Sequence, residues 1–131
     1  MVEEKLIEQI RNDFTLIIER KDIIGILIYG SYSKNKQINR SDIDICIVAP
    51  NEDSIELLDL IAGNIDIMRK KYDIRIFSEL PLFMKIQIIH DGILIYTPDK
   101  FDLYEFFYKY RKLWNDQQKR QELSKEELLT L

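Results

Sequence analysis

The chain has 131 residues, 46% of them hydrophobic and 32% charged, with 19 Lys and Arg against 23 Asp and Glu for a net charge of −4. That is one domain's length, enough for a core that holds without a metal or disulfide staple. The acidic balance argues against charge-driven nucleic-acid binding, which needs a basic surface. One cysteine, Cys46, and one histidine, His90, exclude an internal disulfide and a Cys/His zinc site. The longest apolar runs, Ile23 to Tyr29 and Ile86 to Ile89, fall far short of the roughly 20 residues of a membrane span. With no apolar leader after Met1, the expected location is the cytoplasm.

Glu3 to about Lys21 carries Leu6, Ile10, Phe14, Ile17 and Ile18 at the spacing of a helix with one buried stripe. Ile23 to Tyr29 is β-branched and apolar, a buried strand that Gly30 and Ser31 end. A polar stretch from Ser33 to Ser41 reads as a loop or short helix, and Asp42 to Val48 alternates strictly as a second strand. Asp53 with Glu56 opens a helix whose expected stripe is Ile55, Leu58, Ile61, Ile65 and Met68. Tyr72 to Phe77 is a third strand. Leu80, Pro81 and Leu82 open a helix with Phe83, Ile86 and Ile89, which Asp91 and Gly92 close before a fourth strand, Ile93 to Tyr96. A long aromatic helix follows from Asp99 to about Gln118, and Ser124 with Glu127 spells a capping box for a last short turn. On that helix Leu103, Phe107, Tyr110 and Trp114 are the expected core side, leaving Tyr104 and Tyr108 as surface or partner patch. The alternation predicts an α/β chain, α+β in strict terms: a mixed sheet of about four strands with helices packed on it. The expected division is a domain over 1–98, with the helix and tail of 99–131 packed on it.

The chemistry centres on Gly30 and Ser31, then ten residues, then Asp42, Ile43 and Asp44. Alternation puts Asp42 and Asp44 on one strand face about 7 Å apart, with Ile43 and Ile45 turned to the core. Paired carboxylates repel, and a divalent cation turns that repulsion into ligation; an all-oxygen donor set suits Mg²⁺ or Mn²⁺. A glycine and a hydroxyl at a strand end suit a phosphate if a helix starts next. Two metals about 4 Å apart need acids from more than one strand. Asp73, at the start of the third strand with Arg75 and Phe77 on its face, is the leading candidate, and Asp66, expected in mid-helix, is the competitor. Lys34, Lys36 and Arg40 make the intervening loop basic, and Lys34, nearest the turn, is a candidate phosphate ligand. Cys46 reads as a small buried hydrophobe and His90 as a helix C-terminal charge without a catalytic role.

These residues resemble the minimal nucleotidyltransferases of the DNA polymerase β-like superfamily, in particular the antitoxin half of HEPN/MNT toxin–antitoxin systems. The family signature is Gly-Ser, ten residues, Asp-x-Asp, met by Gly30, Ser31, Asp42 and Asp44; Leu80, Pro81, Ile89, Gly92 and Tyr96 resemble the helix and strand that follow. Over roughly 23–98 the resemblance implies a nucleotidyltransferase fold, with two Mg²⁺ held by Asp42, Asp44 and Asp73, Asp73 also helping to activate the acceptor hydroxyl, and ATP phosphates held at Ser31, beside the candidates Gly30 and Lys34. It further implies AMP transfer from ATP to a tyrosine of a cognate HEPN toxin. One departure is Ser33, Lys34 and Asn35, where the family commonly has a small residue, a basic residue and glycine. Two other readings remain: a non-catalytic module that neutralises a partner by contact, and a small-molecule transferase of the aminoglycoside-modifying type.

Overall fold

The structure, a computed structural model, describes residues 4–30 and 42–129. Its sheet grows from the two central apolar runs: β1 (Gly25–Tyr29) lies antiparallel to β2 (Ile43–Val48), with Gly25 opposite Val48 and Tyr29 opposite Asp44. β3 (Tyr72–Ile76) joins β2 in parallel, and β4 (Ile93–Tyr96) pairs antiparallel with β1, giving the order β3-β2-β1-β4. This is the mixed four-stranded sheet that the alternation of elements predicts.

Strand alternation sorts the apolar residues onto two faces, and each face builds its own core. Ile26, Ile28, Ile45 and Ile47 pack with Ile10, Phe14 and Ile17 of the N-terminal segment and with Leu57 and Ile61. Leu27, Cys46 and Val48 lie on the opposite face, with Phe77, Ile88, Leu103 and Phe107. Both sides of the central strands are therefore dry except at the Tyr29–Asp44 end, which explains the apolar residues along the rest of them.

The helices depart from the sequence reading in instructive ways. The N-terminal helix is two pieces, α1 (Glu4–Asp13) and α2 (Thr15–Arg20), that meet at the buried Phe14 (φ −93, ψ 5). The hydrogen-bond ladder nonetheless runs through the break, from Phe14 N–H to Ile10 C=O and from Ile18 N–H to Phe14 C=O. Asp53 caps α3 (Ser54–Asn64) by accepting from the Glu56 N–H at 3.0 Å. The buried side of α3 is Leu57 and Ile61, while Ile55, Leu58 and Met68 are exposed. Apolar residues occur on both sides of this helix, so period alone could not choose between them. The helix also stops before Asp66, which caps the short α4 (Ile67–Lys70) by accepting from the Arg69 N–H; it is not a mid-helix residue.

Phe77 leaves β3 to start a 3₁₀ turn, Phe77–Glu79, and is buried in the second core. In α5 (Leu82–Asp91) the buried residue is Ile88, and Phe83 is exposed. The last helix, α6 (Lys100–Leu129), is continuous for 30 residues, so Ser124 and Glu127 are interior helical positions and the described residues hold no separate terminal turn. Its first half packs through Leu103 and Phe107, with Tyr110 against the Phe77 ring, whereas every described residue beyond Trp114 is exposed. No helix among the described residues is long and apolar enough to cross a membrane.

Candidate active site

The register of the sheet lines up side chains of one face in rows. Tyr29, Asp44 and Asp73 are direct neighbours across β1, β2 and β3, and Leu27, Cys46 and Arg75 form the next row. The parallel register is pinned where β3 begins. Lys71, in the left-handed conformation (φ 58), ends α4, and its carbonyl accepts from the Ile43 N–H at 2.7 Å. On the next residue, the Tyr72 hydroxyl donates to Asp13 at 2.6 Å, and Lys70 pairs with the same carboxylate, which ties the start of β3 to α1. Asp73 is thereby set beside Asp44.

Asp44 shows the cost of this arrangement. Burial, then the charge of Asp73 and a hydrogen bond between the two carboxyls, push its pKa up to about 6; the Asp42 charge adds to the rise and Arg75 opposes it. Arg75 lies 3.6 Å from the Asp73 carboxylate. Asp42 precedes β2 and is exposed, so it acts on Asp44 through charge. Among the described residues, no three His, Cys, Asp or Glu side chains are gathered tightly enough to grip an ion as they stand. The meeting pair is Asp44 and Asp73, an all-oxygen donor set with an excess of negative charge, and that chemistry fits a hard divalent cation.

Gly30 closes the row. Its φ of +73 belongs to the left-handed region, and a Cβ built there would run into the Asp44 carboxylate. Only a glycine lets the backbone pass this close. Ser31 and Lys34, the expected phosphate ligands, lie outside the described residues, as do Lys36 and Arg40.

Tyr29 is the neighbour that the motif did not single out. It stands across from Asp44, and burial with the nearby Asp44 charge holds its phenol protonated far beyond neutral pH. The signal was present: strand alternation puts the residue before Gly30 on the Asp44 face. Cys46 is fully buried and its thiol pushed up by that burial, which suits a core residue and not a nucleophile. His90 is exposed and paired with Asp91 at 3.0 Å, remote from the row in sequence and on α5.

The raised Asp44 pKa sets a pH dependence. Between about pH 4 and 6 the folded chain binds a proton that the unfolded chain has released, so stability falls as pH rises through this window and stays reduced above it. Asp44→Asn is therefore expected to stabilise the metal-free chain at pH 7, by about 1 kcal/mol after allowance for solvent screening. Urea midpoints at pH 4.5 and 7 measure it; an equal or lower midpoint for the variant at pH 7 contradicts the carboxylate repulsion.

Comparison with known proteins agrees with this geometry. Residues 6–101 match the family model described as "Polymerase beta, Nucleotidyltransferase". The chain is 48% identical over 99 residues, 75% of each protein, to "Putative protein adenylyltransferase MJ1547" of Methanocaldococcus jannaschii. Among solved structures it resembles a toxin–antitoxin crystallised with AMP-PNP, at TM-score 0.68 and 20% identity over 94% of this chain and 98% of that one. It also resembles a chain from a complex of a tri-AMPylated HEPN toxin and MNT antitoxin from Shewanella oneidensis, at TM-score 0.57 and 19% identity over 95% and 93%. At such identities these likenesses speak for the fold, whereas the family match and the archaeal relative speak for descent. With its sheet, its Asp44–Asp73 pair and these matches, the chain belongs to the polymerase β-like nucleotidyltransferases.

Proposed function

We propose that this protein transfers AMP from ATP to a tyrosine hydroxyl of a HEPN-type toxin and so acts as its antitoxin. The observation that carries the reading is the pairing of Asp44 with Asp73 on adjacent strands beside the left-handed Gly30. The family match, the name of the archaeal relative and the toxin–antitoxin character of the structural neighbours support it.

Asp42, Asp44 and Asp73 would hold Mg²⁺, two ions in the full assembly and replaceable by Mn²⁺, whose positive charge offsets that on the nucleotide phosphates. Gly30, Ser31 and Lys34 would bind those phosphates. The acceptor oxygen attacks the α-phosphorus, the bond to the bridging oxygen breaks, and pyrophosphate leaves. Asp73 would draw the acceptor proton, and Tyr29, kept neutral opposite Asp44, would wall the row without competing as a nucleophile. The test is incubation of the chain, Mg²⁺ and α-labelled ATP with the product of the adjacent reading frame, which the proposal expects to be a HEPN protein. Label on a toxin tyrosine is the expected result; an authentic partner that stays unlabelled refutes the proposal.

A contact-only antitoxin is the second reading, favoured by Tyr104 and Tyr108, 56% and 61% exposed on α6. Asp42→Asn separates the two: it leaves neutralisation intact only if contact suffices.

A further inference from the structure

Among the described residues Arg75 is the cation paired with the carboxylate row, and catalysis as outlined gives it no task. It occupies the same face of β3 as Asp73, two residues along, with the uncharged Cys46 as its cross-strand neighbour. Its guanidinium stands 3.6 Å from the Asp73 carboxylate, an ion pair too long for a good hydrogen bond. The two side chains are 51% and 38% exposed, so neither is locked by packing. The charge also reaches Asp44, where it counters the effect of Asp73 and Asp42. A guanidinium cannot shed its proton to escape this competition.

We propose that Arg75 is a resident counter-cation: it holds Asp73 in the metal-free chain, yields that carboxylate when a divalent cation binds, and so sets the metal concentration at which the site loads. The inference rests on the reading of Asp42, Asp44 and Asp73 as metal ligands. It differs from a solubilising role for a charged edge-strand residue, which leaves metal affinity unchanged, and from a supporting role, whose loss weakens affinity. Removing a competing positive charge must tighten it.

The test uses the full chain without nucleotide, titrated with Mn²⁺ and followed by water-proton relaxation or calorimetry. Arg75→Gln is expected to lower the Mn²⁺ dissociation constant about threefold to tenfold, with the gap shrinking at high salt because both groups are solvent-exposed. Arg75→Met should do the same, and Arg75→Lys, which keeps the charge, should stay within about twofold of the parent. Equal or weaker Mn²⁺ binding by both neutral variants overturns the proposal. Asp44→Asn is the control on the underlying reading: about tenfold or greater loss of Mn²⁺ affinity upholds the carboxylate site. If that variant binds Mn²⁺ like the parent, the site reading falls, and the Arg75 assignment with it. Thermal melts of each variant confirm that affinity is compared between folded chains.

Discussion

Asp44→Asn is expected to reduce AMP transfer about 10³-fold or more, equivalent to roughly 4 kcal/mol of transition-state stabilisation. The argument is one of charge and position. Asp44 is the central member of the row, with Tyr29 on one side and Asp73 on the other, so it borders both. Asparagine has the same shape and retains one carbonyl oxygen, but removes the negative charge that a hard cation requires. The backbone register, set by main-chain pairing and by the Ile43 to Lys71 hydrogen bond, does not depend on the carboxylate. The variant should therefore fold, and in the absence of metal it should resist urea better than the parent at neutral pH. Initial rates of label transfer provide the measurement. A rate within tenfold of the parent would show that chemistry proceeds elsewhere.

The second large effect is expected at Gly30. An alanine there must adopt φ near +73, at a cost of about 1 kcal/mol for an L-residue. Its methyl group must also displace the Asp44 carboxylate, since the space is already filled by that side chain. The expected outcome of Gly30→Ala is a stability loss of about 1–3 kcal/mol and a fall in transfer of about a hundredfold, because the group that moves is a proposed ligand. Denaturant unfolding and transfer rates should be read together. Unchanged transfer with lowered stability would mean that Asp44 has room to move without consequence.

Much of this site is legible in the residues because strands obey a short period. Asp44 and Asp73 each sit in a run of alternating Ile, and the core face fixes the opposite face by exclusion. What the chain does not announce is the pinning of the register by Lys71 with Ile43 and by Tyr72 with Asp13, two pairs far apart in sequence. Helix faces were harder for a related reason. In α3 the pairs Ile55/Leu58 and Leu57/Ile61 offer two apolar sides, and only the sheet decides which is buried. Ser124 and Glu127 spell a helix start, yet the flanking residues are good helix formers and nothing breaks the ladder before them, so α6 runs on. Asp66 shows the reverse: a carboxylate that period placed within a helix starts a new one, because Asn64 and Ile65 end the first.

The parallel pairing of β2 with β3 bears on how the protein is made. Parallel neighbours cannot be joined by a hairpin, and here the chain travels through α3 and α4 before Asp73 comes back beside Asp44. A nascent chain that has emerged only as far as α3 already carries Asp42 and Asp44 but not their partner. Non-local pairing of this kind is slow relative to hairpin closure. The antiparallel β1–β2 unit can thus form early, and the proposed catalytic centre becomes complete only at the late docking of the crossover.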